Sequence, residues 1–240
     1  MRSRRFTLGE PPFADGTGSG VTVAVVDSGI HGDHPHVRGV SRGVFLGDAA
    51  APSDFVDRIG HGTAVAAAIR EKAPQAELLA VRVFDRTLRT SAEQLARAIV
   101  WSADERARVI NLSLGTTNAK RTDVLRDAVE YAAARGALVV SARELNGTQW
   151  LPGSLHGVVG VRLGGDDREA ITVELVNDSL TIEASRYPRP IPGVPPERNL
   201  SGVSFSVANA SGFIARLLSV YADVSTLADL EVTLFGDHPP

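Results

Sequence analysis

Short apolar runs recur along the first part of the chain and alternate with segments of helical periodicity. The first run, residues 21–26, is apolar and rich in β-branched side chains, which is typical of a strand buried on both faces. Similar runs lie at 78–83, 109–114 and 137–141, and helical periodicity covers about 62–72, 91–104 and 120–135. Because strand and helix alternate, we expect right-handed βαβ units and a three-layer αβα fold with a mostly parallel central sheet.

The pattern changes in the second part of the chain. Residues 166–185 alternate between apolar and polar positions, which predicts strands joined by a turn at 177–179. A proline-rich stretch at 187–196 predicts a loop, and residues 203–221 predict a last helix.

Length and composition favour one domain over residues 1–240, with an irregular lead-in at 1–19 and a C-terminal tail at 222–240. A chain of 240 residues that is 43% hydrophobic, with a net charge of -3, can bury one core. No run of lysine or arginine indicates a nucleic-acid partner. The chain has no cysteine, which excludes disulfides, thiolate catalysis and sulfur-ligated metals.

Neither a signal peptide nor a membrane span is predicted. The chain begins with basic residues, but no apolar stretch long enough for a signal peptide follows them. No later segment approaches the roughly 20 apolar residues that span a bilayer. We therefore expect a soluble, cytoplasmic protein with no membrane partner.

Three residues lie where catalytic side chains are often found. Asp27 directly follows the first buried strand, at the edge where open parallel sheets bind ligands, although such a residue is often only a turn or cap. His61 stands between two glycines at a helix start. The alternative is an ordinary histidine, which usually lies at the surface or makes all its hydrogen bonds inside a core. Ser204 opens another small-residue helix, whose free amides favour an oxyanion beside the hydroxyl; an ordinary N-cap serine is the alternative.

The segments around these residues resemble those of the subtilisin-like serine proteases, the subtilases. Asp27, His61 and Ser204 also occur in the order of that family. The segments that carry the resemblance are 25–30, 60–69 and 200–212, with further similarity at 73–83, 109–115, 150–153 and 158–161. The resemblance covers about residues 20–215 and implies a subtilisin-like fold.

The resemblance also implies a role for each residue. Ser204 attacks a carbonyl, His61 takes its proton and returns it to the leaving group, and Asp27 fixes the tautomer of the imidazole. Ser113, Leu114 and Gly115 border the cleft, where an extended peptide pairs as an added strand. The implied substrate is a peptide or precursor protein, and no cofactor is implied.

One position departs from the family at the oxyanion site. Leu145 aligns with an asparagine whose side chain helps to bind the oxyanion in the family, and Asn146 follows one residue later. Asn146 is the candidate replacement, which requires a shifted register or a bulge to aim its amide. Without a side-chain donor, we expect turnover to be lower by about a hundred- to thousandfold.

The primary specificity pocket also departs from the family. Ala142, Arg143 and Glu144 lie on one wall, where the family tends to have only small residues, and Trp150 stands where a small residue often forms the base. We therefore expect a narrowed or charged pocket and a restricted substrate range.

The sequence predicts no metal-binding site. The segment from His61 to Pro74 has almost no insertion, so the calcium loop of many secreted relatives is missing and no strong calcium dependence is expected. The cluster His31, Asp33, His34 and His36 has no fixed ligand spacing, which indicates exposed loop polarity. With no N-terminal pro-domain in view, these features favour an intracellular, specialised enzyme.

Three functions are compatible with these patterns. The first is a sequence-selective endopeptidase that matures a precursor or leader peptide, with a biosynthetic partner protein that delivers the substrate. The second is a catalytically impaired subtilase that acts as a peptide-binding or scaffold module. The third is an acyl transferase or macrocyclase, which needs the same acyl-enzyme but excludes water.

Overall fold

The computed structural model describes residues 2–47, 53–84, 87–176 and 179–236. The strands are β1 (Arg2–Thr7), β2 (Thr22–Asp27), β3 (Arg42–Phe45), β4 (Glu77–Arg82), β5 (Val109–Leu112), β6 (Leu138–Ala142), β7 (Glu144–Leu145), β8 (Thr148–Gln149), β9 (Val158–Gly164), β10 (Ala170–Val176) and β11 (Ser179–Ser185). The helices are α1 (His61–Lys72), α2 (Ala92–Asp104), α3 (Thr122–Ala133), α4 (Val203–Leu218) and α5 (Leu227–Phe235). The predicted helices are confirmed to within a few residues at each end.

The central sheet has nine strands among the described residues, in the order β1-β10-β11-β9-β6-β5-β2-β4-β3. Neighbouring strands from β11 to β3 pair in parallel, and β10 and β1 add an antiparallel edge. Strand β2 is an interior strand, third from the β3 edge, with Val25 between Ala80 of β4 and Asn111 of β5. This arrangement confirms the predicted mostly parallel sheet.

Helices cover both faces of the sheet and complete the three layers. Val23 and Val25 of β2 are buried on the face covered by α1, α4 and α5. Ala24 and Val26 are buried on the face covered by α2 and α3. The strand is apolar at successive positions because both of its faces are dry. No helix of the described chain is both long and apolar enough to cross a bilayer.

The two ends of the chain are more ordered than the sequence predicts. The lead-in at 1–19 was expected to be irregular, but β1 pairs with β10 at the sheet edge and buries Phe6. The tail at 222–240 contains α5, which begins with a capping box between Thr226 and Asp229 and buries Leu230 in the core. Both end segments therefore extend the core, because each supplies apolar side chains to it. The predicted turn at 177–179 falls partly on 177 and 178, outside the described residues.

One edge of the sheet collects the segments that carry the predicted site. Strands β2, β5 and β6 are parallel and end at Asp27, Leu112 and Ala142 on this edge. Helix α1 begins at His61, and α4 begins beside Ser204. Open parallel sheets bind ligands at the carboxyl ends of their strands, so this edge is where a site is expected.

Candidate active site

An aspartate and a histidine that the sequence predicts to act together are in direct contact. Nδ1 of His61 lies 2.8 Å from Oδ1 of Asp27, which is fully buried. The same oxygen accepts a hydrogen bond of 2.7 Å from the backbone N–H of Ser28. Because an ionised carboxylate only accepts hydrogen bonds, Nδ1 carries the proton. Nε2 of the neutral ring is therefore left as a proton acceptor.

The surroundings of His61 make its imidazole a stronger base. Burial lowers the pKa of His61, but the hydrogen bond and charge of Asp27 and the charge of Asp57 raise it more, so the pKa lies above its ordinary value. Oδ2 of Asp27 is buried and has no hydrogen-bond partner among the described residues. A histidine with this environment suits general base catalysis.

A second carboxylate, Asp57, fixes the start of α1, and sequence reasoning missed it. Its Oδ1 accepts hydrogen bonds from the Ser28 hydroxyl and from the backbone N–H groups of Ile59 and Gly60. Its Oδ2 accepts from the backbone N–H and the hydroxyl of Thr63. The signal available in the sequence was an acidic residue just before a glycine-bounded helix start, where a carboxylate satisfies free amides.

Replacing Asp57 by Asn is expected to lower the free energy of unfolding by about 3 kcal/mol, because an amide nitrogen then faces buried donors. Burial raises the pKa of Asp57, but its bonds from Thr63, Gly60 and Ile59 lower it more. The carboxylate therefore stabilises the fold above about pH 4, its usual unfolded pKa, and this contribution is lost as the pH falls through the folded pKa. Urea unfolding at neutral and acidic pH measures both effects.

The exposed Asp33 provides a matched control on the same side of the fold. Asp33→Asn should unfold at nearly the same urea concentration as the unaltered chain, because its carboxylate is in water. An Asp57→Asn chain as stable as the Asp33→Asn chain would show that Asp57 does not hold the helix start.

Close packing at Gly62 sets the distance between His61 and Asp27. A Cβ atom at position 62 would lie 2.2 Å from the backbone oxygen of Gly29 and 3.1 Å from Cβ of Asp27. Both distances are shorter than an ordinary carbon contact. Only glycine therefore allows α1 to approach the end of β2 this closely.

The third predicted catalytic residue, Ser204, lies in the first turn of α4. Its hydroxyl donates a hydrogen bond of 3.1 Å to the backbone oxygen of Ser113. The next residue, Phe205, packs its ring 5.6 Å from that of His61, measured between centroids. The structure thus brings Asp27 and His61 into contact and places Ser204 beside them. Among the described residues no hydrogen bond joins the hydroxyl of Ser204 to the imidazole.

The predicted substrate edge follows β5 and is held from behind by a buried network. Ser113, Leu114 and Gly115 are half-buried. Nδ2 of Asn111 donates to Oγ of Ser113 over 2.9 Å, and Oδ1 of Asn111 accepts from the hydroxyl of Ser211 in α4 over 3.0 Å. The network ties the edge to the helix that carries Ser204. Sequence reasoning missed it because its members are far apart along the chain.

Asn146, the candidate oxyanion donor, lies in the turn of a short hairpin. Strands β7 and β8 form a hairpin, with Leu145 paired to Thr148. Asn146 and Gly147 form its two-residue turn with φ values of 52° and 75°, and Asn146 is exposed. The bulge or shifted register that its predicted role requires is not seen. An Asn-Gly pair between two short runs is a strong hairpin signal, and it explains this segment better.

Trp150, predicted at the base of the specificity pocket, lies close to the predicted substrate edge. A Cβ atom at Gly115 would lie 3.3 Å from Cε3 of Trp150 and 2.4 Å from the backbone oxygen of Leu151. Thr116 and Leu151 exchange backbone hydrogen bonds of 2.9 and 2.8 Å, which join the end of the substrate edge to the residue after Trp150. The indole thus lies against the predicted substrate edge, and the narrowed pocket stays a prediction.

Ala142, Arg143 and Glu144, also predicted to line the specificity pocket, lie at the end of β6 and the start of the β7–β8 hairpin, where the backbone N–H of Trp150 donates to the backbone oxygen of Arg143 over 2.9 Å. Ala142 is buried, and its backbone oxygen would lie 2.0 Å from a Cβ atom at Gly153. The Cβ and Cδ atoms of Arg143 cover Gly160, at 3.0 Å from where a Cβ there would be. Nη1 of Arg143 is buried without a hydrogen-bond partner among the described residues. The side chain of Arg143 is therefore packed against β9, and its role in a specificity pocket stays a prediction.

The histidine cluster forms no recognisable metal centre in the part of the chain that the structure describes. No group of three or more His, Cys, Asp or Glu side chains there is arranged to hold a metal ion. His31, Asp33 and His34 are exposed, whereas His36 is half-buried and packs its ring edge-on against His34 at 5.2 Å.

Comparison with known proteins agrees with the motifs. The family model described as the subtilase family matches residues 18–147. The thermophilic serine proteinase of Bacillus sp. (strain AK1) is 32% identical over 223 residues, which cover 84% of this chain and 53% of the relative. This chain thus spans about half the length of that relative.

Solved structures share the fold. Sphericase superimposes with a TM-score of 0.67 at 21% identity, covering 91% of this chain and 82% of its own. A structure described as a lanthipeptide protease gives a TM-score of 0.67 at 20% identity, covering 91% of this chain and 79% of its own. At these identities the likeness concerns the fold alone.

Proposed function

Because the chain belongs to the subtilase family, we propose that it is a serine endopeptidase of restricted specificity, with Asp27, His61 and Ser204 as its catalytic triad. The observation that carries the proposal is the 2.8 Å contact between Nδ1 of His61 and Asp27, beside the helix start that holds Ser204. It leaves Nε2 of His61 free to act as a base, and a base that reaches the hydroxyl of Ser204 activates a serine nucleophile.

In the proposed reaction, rotation about χ1 of Ser204 moves its hydroxyl from the backbone oxygen of Ser113 to Nε2 of His61. Oγ then attacks the scissile carbonyl while Nε2 takes the proton, and Asp27 stabilises the imidazolium. The imidazolium protonates the leaving amine, and the amine departs. Water, deprotonated in turn by Nε2, cleaves the acyl-enzyme and restores the hydroxyl of Ser204.

The negative charge that develops on the carbonyl oxygen has fewer donors than in a complete oxyanion hole. The backbone N–H of Ser204 lies in the first turn of α4, where unpaired amides and the helix dipole favour an anion. Leu145 supplies no side-chain donor, and Asn146 is in the hairpin turn. We expect turnover about a hundred- to thousandfold below that of a site with both donors.

A maturation role follows from the narrowed pocket. Trp150 against Gly115 and the charge of Arg143 favour a small set of sequences over general digestion. One structural neighbour is described as a lanthipeptide protease. We propose that this chain cleaves a precursor or leader peptide, with the help of a biosynthetic partner protein. The cytoplasmic location expected from the sequence stays a prediction.

Cleavage of a peptide library with product analysis by mass spectrometry tests this function. We expect cleavage after a narrow set of residues, with free carboxyl termini that identify hydrolysis and not transfer to an amine. A Ser204→Ala chain is the control for contaminating proteases. Unselective cleavage of the library, at a rate typical of digestive enzymes, would contradict the restricted specificity.

A peptide-binding module without catalysis is the second candidate, favoured by the loss of the side-chain oxyanion donor at Leu145. The two functions differ in turnover. A module binds library peptides with equal affinity in the native and Ser204→Ala chains and releases no product. An enzyme releases product only from the native chain.

Replacing Trp150 by Gly is expected to widen the pocket. Removal of the indole frees space beside Gly115, so kcat/KM for a peptide with Phe before the scissile bond should rise about tenfold or more. The matched peptide with Ala at that position should change little, because it does not need the space. Equal effects on both peptides would show that Trp150 does not limit the size of this pocket.

A further inference from the structure

A cavity of about 470 Å³ lies beside the start of α1, outside the residues that carry the proposed chemistry. Gly60 and Thr63, on either side of His61, line it from α1. The loop at 31–36 lines a second side, and the segment 188–200 closes it. The segment ends four residues before Ser204, so the cavity opens next to the triad.

The cavity and the predicted substrate edge adjoin different members of the proposed triad. Ser113, at the end of β5, contacts the hydroxyl of Ser204. Gly60 and Thr63 flank His61 and face the cavity. For an extended peptide whose acyl part lies along 113–115, we take the residues beyond the scissile bond to lie on the side of His61, where the cavity opens.

One wall of the cavity is apolar. Small side chains of α1, Ala64 and Ala67, form its floor. Ile191 and Leu200 also line it and are 47% and 52% exposed, so their side chains are accessible from solvent. This wall suits the aliphatic stem of a substrate side chain.

The polar groups that remain available in the cavity are cationic or neutral. Arg189 lines it and forms no ion pair among the described residues. His31, His34 and His36 line the cavity from the loop at 31–36. Asp57 is the one acidic residue among the lining residues, and both of its oxygens are already used by α1 and Ser28.

Several positive groups lie near His36 in the cavity. Burial lowers the pKa of His36 first, and the charges of Arg189, His34 and Arg38 lower it further. Glu71 opposes them, but its carboxylate is paired with Lys72 and Arg168. An anion in this cavity would meet an unpaired guanidinium and imidazole donors, which bind carboxylates well.

We propose that this cavity is a specificity site for an acidic side chain of the substrate, located in the part of the peptide that leaves after cleavage. The aliphatic stem of a glutamate packs on Ile191 and Leu200, and its carboxylate pairs with Arg189. The proposal rests on the proposed endopeptidase function and adds to it the substrate class: peptides with an acidic residue shortly after the scissile bond.

The test uses pairs of C-terminally amidated peptides that carry Glu or Gln at one of the first four positions beyond the cleaved bond. At one of these positions, the unaltered chain should cleave the Glu peptide with a kcat/KM at least about tenfold higher than the Gln peptide. In Arg189→Gln this ratio should fall to about one. In Arg198→Gln it should stay, because Arg198 is an exposed neighbour on the same segment that does not line the cavity.

Equal cleavage of Glu and Gln peptides at every position would overturn the proposal. Equal loss of the preference in both arginine variants would overturn it as well, because it would indicate only long-range attraction. A preference for peptides with a free carboxyl terminus and no acidic side chain would also overturn it.

Binding of the same peptides to the Ser204→Ala chain, measured by fluorescence anisotropy, separates this proposal from the proposed function. Tighter binding of the Glu peptide, without cleavage by the unaltered chain, would support the cavity and contradict the protease. Cleavage without any Glu preference in rate or binding would contradict the cavity alone.

Discussion

Replacing Ser204 by Ala is expected to lower kcat for peptide cleavage by about 10⁶-fold, the scale found when a triad serine is removed. The hydroxyl of Ser204 is the one nucleophile that the proposed reaction uses, and a methyl group can neither attack a carbonyl nor give a proton to His61. KM should change far less, because Ser113, Leu114 and Gly115 still bind the peptide. The measurement is kcat and KM for the best library peptide.

Ser206 provides the matched control for this substitution. It lies two residues further along α4, is fully buried, and its hydroxyl has no hydrogen-bond partner among the described residues. Ser206→Ala should keep kcat within a few-fold of the unaltered chain. A Ser204→Ala chain that retains more than about a thousandth of the native kcat would show that another group is the nucleophile.

Replacing Asp27 by Asn is expected to lower kcat/KM by about 10⁴-fold and to shift its dependence on pH. An amide no longer carries the charge that stabilises the imidazolium of His61 in the transition state. His61 acts as a base only when neutral, so kcat/KM of the native chain rises with pH through the pKa of His61. Since that pKa lies above 6.5, the rise should centre above pH 6.5.

In Asp27→Asn the rise should move to lower pH, because burial then lowers the pKa of His61 with little to oppose it. The lowered plateau of kcat/KM and the shifted midpoint of its rise with pH are independent readouts. A variant that is only unstable would show the lowered plateau without the shifted midpoint. Asp54→Asn, which alters a partly exposed carboxylate paired with arginines away from the triad, is the control. A native midpoint at or below pH 6.5 would contradict the assigned role of Asp27.

Most of the sheet could be predicted from the sequence because its strands are buried on both faces. Residues 21–26 and 137–141 are continuous apolar runs, and such runs have few other stable places in a fold. The edge strand β1 could not be predicted in this way, because only Phe6 of its six residues is buried. The capping box of Thr226 and Asp229 was a readable signal for α5 that went unused.

The contact between Asp27 and His61 could be expected from local sequence signals. Asp27 ends a buried strand and His61 stands between two glycines at a helix start, and both signals place the residue at the same edge of the sheet. The place of Asn146 could not be inferred from alignment with the family, because the preference of Asn-Gly for left-handed backbone angles determines the local structure there. The roles of Asp57 and Asn111 depend on distant partners. The loop that contains His36 was expected to be exposed and polar, but together with segment 188–200 it lines a cavity.

The most direct test of the triad is covalent labelling by a fluorophosphonate, with the labelled residue identified by mass spectrometry. We expect one label on Ser204, with a rate that rises with pH through the raised pKa of His61 and falls steeply in Asp27→Asn. Absence of labelling, labelling at another residue, or labelling that persists in Ser204→Ala would contradict the central claim that His61 activates this hydroxyl.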